Sequence, residues 1–283
     1  MTVPEQAIVL LRALVYAGAI AVAGAVLFRA GFAPAARAIA PVLRWQILGG
    51  FLLLLVVEPL RYGAFQLAIA DGDRGLAFGP DLRWMGFETP IGQAAVVRLI
   101  AAGVIVAAGL RWLPVGLTAA LIVIGSFLLE GHTAGSVAQL LVAPLLLIHL
   151  TAVSWWLGAL FPLIAVTRRA DPATTVATIG SFGSRAVLVV GGLLAVGALL
   201  VLLLTGAMVD LDSAYQQRLL IKLGLVALLL ALATVNKLRL TPLLQRDYAR
   251  GAARLRTSIR MEIAVAALIL CASAWLVATA PDA

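Results

Sequence analysis

Long apolar segments alternate with short polar ones along the whole chain. The apolar segments fall near residues 6–28, 43–61, 91–110, 113–130, 137–166, 185–208, 217–238 and 260–280. Each is about 20 residues long, the length that an α-helix needs to cross the hydrocarbon core of a bilayer. Helices are expected because lipid offers no partner to backbone groups and the alternating pattern of a membrane barrel is absent. The pattern predicts an all-α polytopic membrane protein, a bundle of eight transmembrane helices.

The composition agrees with this class and excludes others. Of the 283 residues, 63% are hydrophobic and 12% are charged, and the mean hydropathy is +1.08, far too apolar for a soluble globular domain. The single cysteine, Cys271, excludes an internal disulfide and any CxxC motif. The net charge of +8 comes from short loops, so it reflects membrane orientation and not nucleic-acid binding.

Orientation follows from the distribution of lysine and arginine between the two sides. Fourteen of the 21 basic residues fall on one side: Arg29, Arg37, Arg44, Arg111, Arg168, Arg169, Arg185, Lys237, Arg239, Arg246, Arg250, Arg254, Arg256 and Arg260. The positive-inside rule makes this side cytoplasmic. Both termini and the loops 62–90, 131–136 and 209–216 are then outside, giving an N-out/C-out membrane protein.

We interpret residues 1–283 as one integral membrane domain, with a weak internal repeat of about 1–135 and 136–283 as an alternative. The repeat depends on an offset of 124 residues that pairs Arg98 with Lys222. Repeats of this kind are common in transporters, but basic side chains that extend towards the membrane surface explain the match equally well. Near the outer end of the second span, Glu58 is predicted to be an interfacial carboxylate paired with Arg61 or Arg98.

Both histidines of the chain lie close to the fifth predicted span. His132 lies in the polar Gly-His-Thr-Ala-Gly-Ser turn, and His149 lies within an uninterrupted apolar run. A helix that begins at Ser136 places His149 about 20 Å along the axis, near the middle of the bilayer. An ionisable residue at that depth is a functional candidate by default. The alternative is an imidazole that only holds two helices together through a hydrogen bond.

A soft metal would suit a histidine that has thioethers near it, because Cu(I) prefers His, Met and Cys to carboxylates. Met208, at the outer end of the sixth span, could complete such a set, with Glu130 close to His132 in sequence. Methionine also fills gaps in ordinary cores. On the same helix as His149, Ser154 and Gly158 have the small-xxx-small spacing that allows a second helix to approach closely.

Several segments carry a family resemblance that covers nearly the whole chain. They are Gly131-His132, Ile148-His149-Leu150 with Trp155-Trp156-Leu157-Gly158, Thr89-Pro90-Ile91-Gly92, and Tyr215 followed by Leu219 to Leu223 and Asn236. Together they resemble the copper-resistance protein D family of bacterial inner-membrane proteins. The resemblance implies a non-enzymatic role in moving a copper ion across the inner membrane, inward from the periplasm. It also implies a small periplasmic copper-binding partner.

On these grounds the expected metal ligands are His132, His149, Met208 and Glu130, with Trp155, Trp156 and Gly158 packed around them. The residues do not distinguish Cu(I) from Cu(II). No ATP-binding motif is present, so transport would run downhill or use an ion gradient. One rival class is a haem- or quinone-linked electron-transfer protein with His132 and His149 as ligands, although these lie about 20 Å apart in depth. Another is a non-transporting membrane scaffold for the periplasmic partner.

Overall fold

The computed structural model describes residues 3–79, 88–130, 137–205 and 213–278. Every regular element in these ranges is helical. The helices are α1 (Val3–Gly31), α2 (Ala33–Ala38), α3 (Ala40–Ile69), α4 (Arg74–Ala77), α5 (Pro90–Val104) with the π-helix Ile105–Gly109, α6 (Leu113–Gly125) with the 3-10 helix Ser126–Leu129, α7 (Val137–Arg169), α8 (Pro172–Thr205), α9 (Ala214–Val235) with the π-helix Asn236–Leu240, α10 (Thr241–Arg246) and α11 (Tyr248–Val277). The predicted all-α class is confirmed for the described part of the chain.

Seven helices in the described ranges are long and apolar enough to cross a membrane. The predicted fourth span, 113–130, is shorter, with 13 residues of α-helix followed by 4 of 3-10 helix. At about 1.5 Å and 2.0 Å per residue these reach about 27 Å, slightly less than the hydrocarbon core of about 30 Å. With seven long apolar helices in the described ranges, the structure is that of a multi-pass membrane protein.

Two predicted helix starts were wrong. The sixth span was expected from 185, but α8 begins at Pro172, and the eighth was expected from 260, but α11 begins at Tyr248. Aspartates before both helices accept backbone hydrogen bonds, Asp171 from Thr174 at 2.8 Å and Asp247 from Arg250 at 3.1 Å. Hydropathy marks only the lipid-facing part of a helix, whereas such caps decide where the helix begins. The basic stretch Lys237–Arg260 was predicted to be a solvated loop. It is mostly helical, because it contains most of the π-helix after α9, all of α10 and the first turns of α11, which Asp247 caps.

α1 is the central helix of the bundle and packs against α3, α6, α7 and α11. Its crossing with α7 brings two backbones into contact, since a Cβ on Gly158 would lie 2.5 Å from the Cα of Gly24. A Cβ on Gly24 would in turn lie 2.8 Å from the carbonyl oxygen of Ser154. The close helix approach predicted from the Ser154-xxx-Gly158 spacing is confirmed, and α1 is the helix that uses it.

The amide of Gln46 reinforces this crossing. Its Nε2 donates to the carbonyl oxygens of Ala21 at 3.0 Å and Gly158 at 3.1 Å. One side chain on α3 therefore links α1 to α7 at the point where their backbones meet. In a bundle whose surfaces are almost entirely apolar, such a polar link helps to define which helices lie side by side.

Candidate functional site

A network of four charged side chains, three of them buried and Glu130 partly buried, joins α3, α5 and the end of the 3-10 helix. Arg61 donates to both carboxylate oxygens of Glu130, at 2.8 Å and 2.9 Å, and to Glu58 at 3.2 Å. Arg98 donates to Glu58 and, at 2.7 Å, to Glu130. Two arginines and two glutamates balance in charge, so none of these ions is left buried without a counter-charge.

The positions of these residues in the helices explain how the network forms. Glu58 and Arg61 lie one turn apart on α3 and so share a face. Arg98 is fully buried on α5, with its Nε 2.9 Å from the Ser126 hydroxyl oxygen, which accepts this hydrogen bond. Its guanidinium carbon lies 3.9 Å from the centre of the Phe127 ring. The 3-10 helix therefore supplies a hydroxyl and an aromatic face, and Glu130 follows directly after it.

The predicted pairing of Glu58 is confirmed, and it pairs with both candidates, Arg61 and Arg98. Glu58 is buried within the protein, at only 2% exposed, and its position at the membrane interface stays a prediction. The third partner, Glu130, was predicted as a metal ligand. Both of its oxygens accept hydrogen bonds from arginine, so a metal ion bound there would have to displace a guanidinium. Its metal-ligand role stays a prediction.

His149 lies on α7 and is half-buried. Its ring faces α8 at Gly197, where a Cβ would lie 3.7 Å from the imidazole Cε1 and 3.9 Å from Nδ1. The Nδ1 atom is buried and has no hydrogen-bond partner among the described residues. The purely structural alternative, in which this nitrogen bonds a neighbouring helix, gains no support in the described part of the chain. A neutral imidazole nitrogen without a hydrogen bond has a free lone pair for a metal ion or remains buried at a cost.

Lys222 on α9 is the charged side chain whose electrostatic effect reaches His149. It makes no ion pair with a carboxylate in the described ranges. Among the described residues, the imidazole of His149 and the ammonium group of Lys222 therefore interact without an acidic partner. Among ionisable residues within a membrane, this arrangement is unusual, because such groups commonly pair with one another.

The two tryptophans and the glycine that follow His149 have packing roles in the structure. The Trp155 ring stacks on Phe182 of α8, with centroids 5.0 Å apart, and also lies near Phe32. Trp156 is buried in the main apolar core. Gly158 forms the crossing with α1 at Gly24. All three were predicted as packing residues around the metal ligands, and their contacts show packing between helices.

Two of the predicted ligands, His132 and Met208, lie outside the described residues. Within the described ranges, no group of three or more His, Cys, Asp or Glu side chains is close enough to hold a metal ion. His149 and Glu130 are therefore the predicted ligands whose surroundings are known. Glu130 belongs to the ion-pair network, while His149 faces Gly197 on another helix.

A second buried polar pair joins the π-helix after α9 to α11. The Nδ2 of Asn236 donates to Oε1 of Glu262, which is only 3% exposed. Both residues are visible in the sequence as polar positions near the ends of apolar runs. Their pairing could not be found there, because they lie 26 residues apart and on different helices.

These features define the protein as a polytopic helical membrane protein with ionisable side chains inside its bundle. Residues 176–276 match the family model described as Copper resistance protein D. The copper resistance protein D of Pseudomonas syringae pv. tomato is 30% identical over 149 residues, which cover 48% of this chain and 48% of that protein. Both matches are to copper resistance protein D, the family that the sequence resembles, and each covers less than half of this chain.

The match has a limited extent. The chain spans about half the length of the relative from Pseudomonas syringae. The segment matched by the family model covers most of α8, all of α9 and α10, and α11 almost to its end, so it includes Gly197, Asn236 and Glu262. His149 and the ion-pair network precede it. No solved structure matches the chain.

Proposed function

We propose that this protein moves copper across the bacterial inner membrane, from the periplasm to the cytoplasm. His132 is the outer station for capture, and His149 is the station within the membrane. The family supports a role in copper resistance, with copper as the transported ion. The observation that carries the proposal is His149, an imidazole in an apolar helix whose Nδ1 has no hydrogen-bond partner among the described residues. Conduction needs sites that bind the ion well enough to admit it and weakly enough to release it.

The proposed topology has eight spans in one domain, with both termini in the periplasm. The fourth span is Leu113–Leu129, whose length of about 27 Å requires only slight thinning of the bilayer. The basic ends of α7 and the π-helix Asn236–Leu240 then lie on the cytoplasmic side. This orientation places Glu130 and the following residues on the side from which copper enters.

In this proposal Met208 and Glu130 assist His132 at the outer station. Glu130 can do so only by exchanging an arginine partner for the ion, since both of its oxygens are engaged with Arg61 and Arg98. A small periplasmic copper-binding protein would deliver the ion to this side. Because the sequence has no ATP-binding motif, movement of copper is downhill or coupled to an ion gradient.

Copper uptake by purified protein in liposomes tests the proposal. We expect His149→Ala to lower the maximal rate by more than about tenfold, a loss seen even when partners of metal ligands are removed. The melting temperature in detergent should stay near wild type, because the imidazole makes no hydrogen bond to a described residue. His132→Ala should mainly raise the copper concentration that gives half-maximal uptake.

Ile148→Ala is the matched control, since Ile148 is the neighbouring residue on α7 and is 55% exposed. It should leave uptake and melting unchanged. Unimpaired uptake by His149→Ala, together with a clearly lower melting temperature, would show that His149 serves only to pack the bundle. A haem absorption band in the purified protein would favour electron transfer over transport.

A further inference from the structure

Glu262 differs from the other buried glutamates because it has no cationic partner. Glu58 and Glu130 each contact two arginines, whereas no Lys, Arg or His of the described ranges lies within ion-pair distance of Glu262. Yet Glu262 is 3% exposed and lies in α11, a helix long and apolar enough to span the membrane. Burying an ionised carboxylate away from water costs free energy, and the usual outcome is that the group takes up a proton and becomes neutral.

Several ionisable side chains lie on the helices around Glu262. α11 packs against α1, α7, α9, α10 and the π-helix Asn236–Leu240. Their ionisable side chains in the described part, with those of α11 itself, are Arg12, Tyr16, Arg29, His149, Arg168, Arg169, Tyr215, Arg218, Lys222, Lys237, Arg239, Arg246, Tyr248, Arg250, Arg254, Arg256, Arg260 and Cys271. Three of them donate hydrogen bonds to other groups at 3.3 Å: Lys237 to the carbonyl of Gly183, Arg256 to the carbonyl of Thr167, and Tyr248 to the hydroxyl oxygen of Thr175.

Among the described residues, the polar partner of Glu262 is Asn236. The amide of Asn236 can hydrogen-bond the carboxyl group of Glu262 whether that group is ionised or protonated. Asn236 donates through Nδ2 to the carboxylate, while its Oδ1 is buried and has no partner among the described residues. A 180° rotation of this amide exchanges the two atoms. Oδ1 then accepts a hydrogen bond from the O–H of a neutral Glu262. A protonated Glu262 therefore provides the hydrogen-bond donor that the Oδ1 of Asn236 otherwise lacks among the described residues.

The backbone around Asn236 is irregular at the point where this pair forms. Asn236 is the first residue of a five-residue π-helix, and its carbonyl oxygen accepts a hydrogen bond from the hydroxyl of Thr241 at 2.9 Å. Single-turn π-helices within longer helices are rare and occur frequently at functional sites. Here the irregular turn directs an amide towards a buried carboxyl group on the neighbouring helix.

We propose that Glu262 and Asn236 form a buried proton-binding site at the cytoplasmic end of the helix bundle, with Glu262 as the group that is protonated. Protonation forms an O–H bond on the Glu262 carboxylate with a proton taken from hydronium, and releases water. A metal ion is a poor fit, because the pair supplies three side-chain oxygens whereas a hard cation takes about six oxygen ligands. The site is separate from His149 and from the ion-pair network, and it binds its proton in the absence of copper.

Infrared difference spectroscopy of copper-free protein in lipid nanodiscs, titrated with acid, tests this site. We expect wild type to show the carbonyl stretch of a protonated carboxylic acid that appears and disappears with pH. Glu262→Gln should lose this band. Glu88→Gln, which changes an exposed glutamate, should keep it.

Asn236→Ala provides a second test that leaves Glu262 in place. It should retain the band but shift its frequency, because the carboxylic acid loses its hydrogen-bond partner. If Glu262→Gln does not fold, this shift decides the matter. A wild-type titration band that survives in Glu262→Gln, or that does not move in Asn236→Ala, would overturn the proposal.

Discussion

The helices α1, α3, α5 and α6, here called the paired region, differ in packing from α8 and α9, the peripheral region. In the apolar windows of α1 and α3, 39% and 33% of residues are buried, against 6% in the windows of both α8 and α9. In the paired region a Cβ on Gly116 would lie 2.4 Å from the Gly109 carbonyl oxygen. In the peripheral region, Gly180, Gly191 and Gly224 have nothing within 4 Å of such an atom.

The two regions also differ in whether their charged side chains form ion pairs. Arg98 of the paired region shares two glutamates with Arg61. Lys222, at the corresponding position of the suggested repeat, has no carboxylate partner in the described ranges. In the paired region, charges hold helices together. His149 and Lys222, by contrast, have no carboxylate partner among the described residues, so they are the groups available to a ligand.

The largest change in stability that tests this comparison is expected when Arg98 is replaced. Arg98→Met leaves Glu58 and Glu130 to share one arginine, and breaking a buried ion pair from one side typically costs about 3–5 kcal/mol. Lys222→Met removes a charge that has no pair to lose, so its effect on stability should be small. The free energies of unfolding of both variants in the same detergent provide the measurement.

Adding Glu58→Gln to Arg98→Met should recover part of the lost stability, because it restores the balance of charge in the network. Equal destabilisation by Arg98→Met and Lys222→Met would mean that the two regions do not differ in this respect. Failure of Glu58→Gln to recover stability would show that shape and not charge balance dominates at the network.

A smaller effect is expected where the helix backbones touch. Gly158→Ala places a methyl group at a point 2.5 Å from the Cα of Gly24, and overpacking of this kind usually costs about 1–3 kcal/mol. Gly180→Ala, in the peripheral region, should be neutral or slightly stabilising because alanine favours helices over glycine by about 1 kcal/mol. Thermal unfolding of the two variants measures the difference. A Gly158→Ala protein as stable as wild type would contradict the close crossing.

The smallest effect is expected at the start of α8 and depends on pH. Hydrogen bonds from the side chain and the backbone N–H of Thr174 lower the pKa of Asp171, so its cap favours the ionised form. The folded-state pKa lies below the unfolded value. The stabilisation is therefore complete above the unfolded pKa and is lost as the pH falls through the folded one.

Amide hydrogen exchange at Thr174, followed as the pH is lowered, should show fraying of this first turn. Asp171→Asn keeps a neutral cap at every pH, and after correction for intrinsic exchange its protection should not change with pH. Unchanged protection in wild type through the same range would contradict the prediction.

Features that arise from local patterns could be predicted from the sequence. The apolar runs predicted the long helices, because burying about 20 apolar residues in lipid overrides other preferences. The spacing of Ser154 and Gly158 predicted a close helix crossing, since small side chains four residues apart form a groove on any helix. The starts of α8 and α11 were missed, because the capping aspartates Asp171 and Asp247 lie in polar segments that hydropathy does not register.

Which of these groups meet depends on how the helices pack in the folded protein. The network joins Arg98 to Glu130, 32 residues away, and Asn236 reaches Glu262 on another helix. That Gly158 meets Gly24, and that His149 faces Gly197, likewise depends on the rotation and vertical register of the helices. Helices that are apolar on all sides carry little information about either quantity, because lipid and protein are about equally good surroundings for an apolar face. The pairing of a few buried polar groups, and the contacts of a few glycines, settle it instead.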